Sequence, residues 1–121
     1  MLEAAGIAAP GFWGCRIVGE GEKANASLSD AQRERYSALL EAVGRRRDKA
    51  AFAELFEYYA PRVKAFLRRM AADDALAEEI AQDVMVTVWR KAELFDRRQA
   101  SASTWIFRIA RNRRIDAARR A

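Results

Sequence analysis

The sequence predicts an all-α fold, a compact bundle of four to five helices that follows a flexible N-terminal tail. Apolar residues recur at spacings of three and four along most of the chain, which is the period of helices with one buried face. No segment alternates with period two for long enough to form a strand, and no internal repeat is visible. The 121 residues suffice for one domain with a modest core.

The first helix is expected to follow a long tail. Residues 1–27 hold five of the six glycines and show no helical period, so we expect a flexible tail there and a domain over residues 28–121. Ser29 followed by Gln32 is typical of a capping box that begins a helix. The apolar stripe of this helix is Tyr36, Leu39, Leu40 and Val43. Gly44 is expected to end it.

Asp48 can cap a second helix, and Pro61 is expected to break or kink it because proline disfavours a helical conformation in the preceding residue. The apolar stripe of this helix begins with Phe52, Leu55, Phe56 and Tyr59. Asp73 and Asp74 place negative charge at the start of a third helix, where the helix dipole favours it. This helix should run to about Leu94. Its buried face is expected to include Leu76, Ile80, Val84 and Val88.

The polar segment Phe95–Ala102 interrupts the helical period and predicts a loop. Ser101 or Ser103 can then cap a fourth helix over residues 104–119. The residues expected to face the core are Trp105, Ile106, Ile109 and Ala110. Phe107 lies off this stripe, so we expect an exposed aromatic ring beside arginines, which is a surface on which unpaired bases stack.

Charge is distributed unevenly along the chain. The net charge is +5, but residues 71–96 hold seven acids against two basic residues, whereas residues 97–121 hold eight arginines against one acid. Such a contrast predicts two surfaces of opposite sign. The arginines of the fourth helix could form a solvated face, but a single-signed surface is better explained by phosphate binding.

The composition argues against an enzyme. The chain has no histidine, no glycine-rich phosphate loop and no nucleophile beside a recognisable base, so we expect no catalytic residue, no metal and no cofactor. Cys15 is alone and can form no internal disulfide. No run of about 18 apolar residues occurs. Glu3 and the absence of Lys or Arg before Arg16 are unlike a secretory signal, so we expect a cytoplasmic protein.

Clustered carboxylates occur in the third helix at Glu78, Glu79 and Asp83. They could form a solvated acidic face, a docking surface for a basic partner or, least in keeping with their surroundings, a general acid/base site. Asn112 lies among the arginines of the fourth helix. Its amide can donate and accept, which suits reading a base edge, although an ordinary surface asparagine fits the sequence equally well.

Three segments carry a resemblance to a known family. They are AFAELFEYYAPRVKAFLRRM (51–70), ALAEEIAQDVMVTVWRKAELFD (75–96) and STWIFRIARNRRIDAARR (103–120). In this order they resemble region 2, the second conserved domain, of bacterial RNA polymerase sigma factors, in particular the extracytoplasmic-function group. The likeness covers residues 30–121. The resemblance implies a non-enzyme that binds core RNA polymerase and recognises and melts the promoter minus-10 element.

In this family the acidic third helix binds a coiled coil of the polymerase beta-prime subunit. The residues that the resemblance assigns to polymerase binding are Glu78, Glu79, Gln82, Asp83, Val86 and Arg90. The loop and the fourth helix open promoter DNA and capture a flipped base of the non-template strand, and Asn112 matches a base-contacting asparagine. The residues that the resemblance assigns to DNA are Phe95, Arg97, Arg98, Ser101, Ser103, Trp105, Arg108, Arg111, Asn112, Arg113, Asp116 and Arg119.

Family members are commonly held inactive by an anti-sigma factor, so such a partner is expected here as well. They also carry a second helical domain that reads the minus-35 element. Residues 28–121 match only the first domain, so a truncated chain is expected. Two alternatives remain open from the sequence: a helical module that binds other proteins, and an RNA-binding helical protein, which would contact ribose 2′-hydroxyl groups.

Overall fold

The computed structural model describes residues 20–70 and 72–120, and the side chains of Glu20, Glu22 and residues 118–120 lie outside that description, as do Cys15 and most of the predicted tail. The described residues form five α-helices and no strand, which confirms the all-α prediction. The helices are α1 (Glu20–Ala26), α2 (Asp30–Arg46), α3 (Lys49–Arg69), α4 (Asp74–Lys91) and α5 (Ala102–Arg120), with a 3-10 turn at Ala92–Leu94. None of them is long and apolar enough to cross a membrane.

Helix α1 lies inside the segment that was expected to be tail, so helical structure is present before residue 28. It packs along α5 because Gly21 permits close backbone approach, and a Cβ atom there would lie 2.7 Å from the Cα of Thr104. At its other end the Arg33 guanidinium donates to the carbonyl of Asn25 at 2.9 Å. Such a short helix owes its stability to these tertiary contacts, which the sequence does not reveal.

The capping box at the start of α2 is confirmed, because the Ser29 hydroxyl accepts from the backbone of Gln32 and the Gln32 side chain accepts from the backbone of Ser29. The predicted stop at Gly44 is wrong. The helix continues to Arg46, and Arg47 adopts the left-handed conformation that ends it. Gly44 serves packing instead, since a Cβ atom there would lie 2.7 Å from the carbonyl oxygen of Ala92.

Helix α3 begins at the predicted cap, where the Asp48 carboxylate accepts from the backbone of Ala51 at 3.1 Å. The chain stays helical through Pro61, so the proline does not break the helix. Its fully buried side chains line one face and form the centre of the core: Leu55, Tyr59, Val63 and Leu67. Helices α2, α4 and α5 pack around this face, so α3 is the central helix that positions α4, with its acids, and α5, with its arginines.

Helix α4 begins after Asp73, whose carboxylate accepts from the backbone of Leu76 at 2.7 Å. The predicted buried face is correct for Ile80, Val84 and Val88, but Leu76 is 37% exposed. A spacing of four residues advances 40° around a helix at each step, because 3.6 residues make one turn. Four residues at that spacing therefore span too wide an arc for all of them to face the core.

Helix α5 inserts its apolar face into the bundle, with Ile106 and Ala110 fully buried and Ile109 half-buried. The expectation that Phe107 is an exposed aromatic is wrong, since this residue is only 4% exposed. Its ring packs edge-on against Phe66 at a centroid distance of 5.5 Å. The buried face of α5 is wide because α1 covers the flank that would otherwise meet solvent.

Candidate functional site

Four exposed polar residues in the middle of α4 form a surface that we call the acidic face. It consists of Glu78, Glu79, Gln82 and Asp83. Glu78 is partly neutralised, because Lys64 of α3 pairs with it at 3.0 Å and Gln82 donates to it at 3.2 Å, and these contacts lower the pKa of the Glu78 carboxyl. Glu79 and Asp83 have no ion-pair partner in the part of the chain that the structure describes. Two carboxylates one turn apart therefore remain available to a basic partner.

A shallow apolar groove of about 330 Å³ runs beside the acidic face, between α3 and α4. It is lined by Phe52, Phe56, Gln82, Met85, Val86 and Trp89. Val86 is 48% exposed and Phe56 is 43% exposed, and the Trp89 ring packs edge-on against Phe52 at 5.3 Å. Gln82 and Val86, both predicted to bind the polymerase, belong to this groove. Exposed apolar side chains clustered in this way are typical of an interaction surface.

The aromatic members of this groove were not predicted as binding residues from the sequence. Phe52 and Phe56 were assigned to the same apolar stripe as Leu55 and Tyr59. Both rings lie on the apolar stripe of α3, but no neighbouring element covers Phe56 at this level of the helix, and its side chain stays 43% exposed. No local pattern distinguishes Phe56 from the buried members of the stripe.

The last residue predicted to bind the polymerase, Arg90, is exposed in the final turn of α4. Beside it, Arg47 reaches across from the end of α2. Its guanidinium donates to the carbonyls of Trp89 and Arg90 and to the Glu93 carboxylate, the last at 2.7 Å. These bonds satisfy carbonyls at the C-terminal end of α4, which otherwise lack partners, and fix the end of the helix that carries the groove.

Residues 95–101 form the loop between the 3-10 turn and α5. Phe95 is 8% exposed, and its ring lies edge-on against the half-buried Trp105 at 5.7 Å. Asp96 organises the turn: its carboxylate accepts from the backbone of Arg98 at 2.9 Å and its carbonyl accepts from the backbone of Gln99 at 3.0 Å. The side chain and backbone of Arg98 lower the pKa of the Asp96 carboxyl.

The two loop arginines that were predicted to bind DNA differ in orientation. The Arg98 side chain is 87% exposed, whereas the Arg97 side chain is 30% exposed and bonds to α2. Arg97 contacts the carboxylates of Glu34 and Glu41. Both acids went unrecognised in the sequence, although their spacing of seven residues places them on one face of α2.

The start of α5 distinguishes the two candidate caps. The Ser101 hydroxyl accepts from the backbone of Thr104 at 3.1 Å, so Ser101 caps the helix. Ser103 is 1% exposed and bonds to the Tyr59 hydroxyl at 2.6 Å. Burial raises the pKa of Tyr59 to about 12, so the phenol stays neutral and this buried bond persists. The prediction that Ser103 contacts DNA is therefore corrected, because its hydroxyl is enclosed in the core.

Helix α5 presents an exposed polar surface that we call the outer face. Its members, all predicted to contact DNA, are Arg108, Arg111, Asn112 and Asp116. Neither Arg108 nor Arg111 has an ion-pair partner within residues 20–70 and 72–117. The exposed amide of Asn112 lies beside these two guanidinium groups, so the arginines can bind phosphate while the amide bonds to a base edge. The side chain of Arg119, also predicted to bind DNA, lies outside the described residues.

Two arginines of α5 reach inward and leave the outer face. Arg113 donates to the Thr87 hydroxyl of α4 at 2.8 Å, and Arg114 donates to the carbonyl of Met70 at the end of α3 at 3.1 Å. Their long aliphatic stems lie along the bundle while the guanidinium groups bond neighbouring helices. The Arg114 Nε atom is buried without a hydrogen-bond partner among the described residues. The prediction that Arg113 is a phosphate contact is not supported by this orientation.

No group of three or more Cys, Asp and Glu residues within the described part of the chain could hold a metal ion. The two surfaces suit binding. One is acidic and apolar, on α3 and α4, and the other is basic, on the loop and α5.

Comparisons with known proteins identify the family of this chain. A family model described as "Sigma-70 region 2" matches residues 55–121. The extracytoplasmic-function (ECF) RNA polymerase sigma factor RpoE of Cereibacter sphaeroides is 59% identical over 83 residues, which are 69% of this chain and 46% of the relative. The ECF sigma factor SigK of Mycobacterium tuberculosis is 36% identical over 88 residues, 70% of this chain and 47% of the relative.

A solved structure is also similar. The crystal structure of Rhodobacter sphaeroides SigE in complex with the anti-sigma ChrR aligns with a TM-score of 0.69 and 56% identity, over 77% of this chain and 56% of SigE. The chain spans about half the length of the curated relatives that it matches. The matched region contains α4, the loop and α5, which carry the acidic face and the outer face. This chain belongs to the sigma-70 region 2 family.

Proposed function

We propose that this chain is the promoter-recognition domain of an ECF sigma factor. It binds core RNA polymerase and the non-template strand of the promoter minus-10 element, and it directs transcription initiation in the cytoplasm without catalysing a reaction itself. The observation that carries the proposal is that the acidic face and the outer face, two exposed surfaces of different chemistry, both lie within residues 55–121, which the family model matches.

The polymerase-binding surface is formed by the acidic face, the apolar groove and Arg90. Glu79 and Asp83 supply the uncompensated negative charge that attracts a basic coiled coil of the beta-prime subunit. Val86 and Phe56 supply apolar area, which gives binding strength once water is excluded. Charge and apolar area thus lie together, as in interfaces whose polar rim surrounds an apolar centre.

The DNA-binding surface is formed by the outer face of α5 and the loop. Arg108 and Arg111 bind phosphates, Arg98 adds a third exposed guanidinium group, and Asn112 reads the edge of an unpaired base. Extrusion of a base from the duplex costs about a few kcal/mol, so strand separation must be offset by such contacts. The half-buried Trp105, whose ring packs edge-on against Phe95, adds an aromatic side chain beside the loop.

A selection experiment tests the DNA-binding half of the proposal. The protein is incubated with a library of randomised single-stranded DNA at fixed salt, and selected oligonucleotides are compared with scrambled versions, duplexes and RNA versions by fluorescence anisotropy. We expect preference for the selected single strand and an affinity that falls steeply with salt. Equal binding to all sequences would contradict promoter recognition, and preference for the RNA version would favour the RNA-binding alternative.

A second experiment tests the polymerase-binding half. A purified beta-prime coiled-coil fragment is titrated with the protein in a calorimeter, first alone and then in the presence of the selected oligonucleotide. We expect binding in both cases, because the acidic face and the outer face lie on different helices. Failure of the fragment to bind, with core polymerase as the positive control, would contradict the assignment of the acidic face.

Control by an anti-sigma factor is a second function for the same surface. The SigE structure with which this chain aligns at 56% identity contains the anti-sigma ChrR. We propose that a partner of this class covers the polymerase-binding surface and keeps the protein inactive. If so, ChrR used as a probe competes with the beta-prime fragment. Simultaneous binding of ChrR and the beta-prime fragment would show that they occupy different sites.

A further inference from the structure

Arg97 is the loop residue that folding ties most firmly to another helix. Its Nε and Nη2 atoms each donate to the Glu41 carboxylate at 3.0 Å, and its Nη1 atom donates to Glu34. The Glu41 side chain is 25% exposed and the Arg97 side chain 30%. A bidentate pair with this degree of burial is among the stronger arginine–carboxylate geometries.

The two carboxylates belong to one face of α2, two turns apart, and neither is in the loop. Together they bring two negative charges to one guanidinium group, and they raise the pKa of Arg97, with the hydrogen bonds to Glu41 as the largest cause. The charge of Arg97 is therefore already compensated within the protein. A phosphate would have to compete with both acids for this guanidinium group.

The rest of the loop is arranged around this anchor. Phe95 is buried on one side, Ser101 caps α5 on the other, and Asp96 closes the turn between them. The next side chain, Arg98, is 87% exposed, and its guanidinium donates to the Asp96 carboxylate of the same loop at 3.2 and 3.3 Å. Of two adjacent arginines, one is thus bonded to another helix, whereas the other pairs only within the loop and keeps its side chain exposed to solvent.

We propose that Arg97 is a positioning residue: Glu34 and Glu41 hold it so that the loop keeps one shape for single-stranded DNA, while Arg98 is the loop arginine that contacts phosphate. The inference deepens the proposed function and rests on it. It reverses the expectation that both arginines bind DNA directly.

Preorganisation explains why such an anchor improves recognition. A flexible loop loses conformational entropy when it binds, at roughly 1–2 kcal/mol for each residue that becomes fixed. A loop that is already fixed does not incur this cost on binding, so its affinity and its discrimination between sequences rise without any new contact to DNA. Loss of the anchor should therefore weaken sequence discrimination and leave the number of phosphate contacts unchanged.

The first test needs no DNA. Amide hydrogen exchange is measured for Gln99 and Ala100, whose N–H groups donate to the carbonyl of Asp96 at 3.0 and 3.3 Å. In Arg97→Gln and in Glu41→Gln we expect these amides to exchange about tenfold faster because the loop opens more often. The double variant should match Arg97→Gln, since the interaction with Glu41 is already absent in that variant. Glu57→Gln, an exposed acid on α3, is the matched control and should change nothing.

The second test uses the selected and scrambled oligonucleotides over a range of salt concentrations. For Arg97→Gln and Glu41→Gln we expect the ratio of selected to scrambled affinity to fall about fivefold or more, with an unchanged slope of log affinity against log salt. For Arg98→Gln we expect that slope to decrease by roughly 0.7 with the ratio retained. Arg97→Lys keeps the charge but loses the bidentate fork, so it should restore discrimination only in part.

Distinct results would overturn the proposal. A lowered salt slope in Arg97→Gln, together with wild-type discrimination and slope in Glu41→Gln, would make Arg97 a direct phosphate contact. Wild-type discrimination in Arg97→Lys would lead to the same conclusion. Unchanged amide exchange in both variants would show that the anchor does not order the loop. If Arg97→Gln fails to fold, Glu41→Gln carries the test from outside the loop. A wild-type protein without sequence preference would refute the proposed function, whereas the exchange experiment would still decide whether the anchor exists.

Discussion

The two charged helices, α4 and α5, differ in how much of their charge remains exposed after folding. On α4 all four acids stay exposed: Asp74 and Glu78 pair with Lys64 at the surface, whereas Glu79 and Asp83 have no ion-pair partner among the described residues. On α5 two arginines, Arg113 and Arg114, turn inward and bond to other helices. The charge seen in the sequence is thus a better guide to the surface of α4 than to that of α5.

The chemistry of the side chains explains this difference. A carboxylate on a short stem can only accept hydrogen bonds, and it stays where its helix position places it. An arginine has a long aliphatic stem and five donors, so it can reach a neighbouring hydroxyl such as that of Thr87 or a carbonyl at a helix end such as that of Met70. A count of arginines therefore overestimates a phosphate-binding surface, whereas a count of exposed acids is closer to the surface that a partner meets.

The largest expected effect concerns the buried side of α5. Phe107→Ala should lower the free energy of unfolding by about 3–5 kcal/mol, because it leaves a cavity beside Phe66 and Tyr59. Ile115→Ala, at a 36% exposed position of the same helix, is the control and should cost less than about 1 kcal/mol. Chemical denaturation measures both. A stable Phe107→Ala protein that loses single-stranded DNA binding would instead make this ring a stacking platform.

The next effect concerns the outer face. Asn112→Ala should lower affinity for the preferred base at one position by about 1–3 kcal/mol and leave the salt slope intact, because an exposed amide reads a base and carries no charge. Anisotropy with oligonucleotides that differ at single positions measures this loss. A uniform loss over all positions would show that Asn112 supports binding without reading sequence.

The acidic face gives the third effect. Asp83→Arg should weaken binding of the beta-prime coiled-coil fragment about tenfold, or about 1.4 kcal/mol, while binding of single-stranded DNA is retained. The expected reason is repulsion between the new guanidinium group and a basic partner. Glu57→Arg reverses an exposed acid on α3 as a matched control and should have little effect. Equal losses in the two variants would mean that net charge, and not the acidic face, determines docking.

The sequence predicted α2, α3 and α4 well because each of them begins with a local signal that is retained in the folded protein. The capping box at Ser29 and the caps at Asp48 and Asp73 are hydrogen bonds within four residues of chain, so the local sequence suffices to place them. Helix α1 and the packing role of Gly44 could not be predicted, because both depend on backbone approach to a distant segment. The caps are local, whereas these contacts are not.

The residues of the candidate site also divide into those whose exposure follows from local sequence and those whose orientation depends on distant contacts. Exposure of Asp83, Arg108 and Asn112 follows from helical period, and the structure places all three at the surface. The inward turn of Arg97 depends on two acids that lie more than fifty residues earlier in the chain, and no local pattern indicates it. Contacts between long side chains and remote helices are where sequence reasoning about this surface failed.

The smallest effect separates inward from outward arginines on one helix. Arg111→Ala should reduce the slope of log affinity against log salt by roughly 0.7, because one fewer phosphate is neutralised on a single strand. Arg113→Ala should leave that slope unchanged and should lower the free energy of unfolding by about 1 kcal/mol, since it removes the hydrogen bond to Thr87. The two substitutions delete the same side chain two positions apart, so their difference isolates orientation. Equal reductions of the salt slope in the two variants would mean that Arg113 leaves Thr87 and binds phosphate. The exposed surface of α5 would then be as basic as the number of arginines in its sequence predicts.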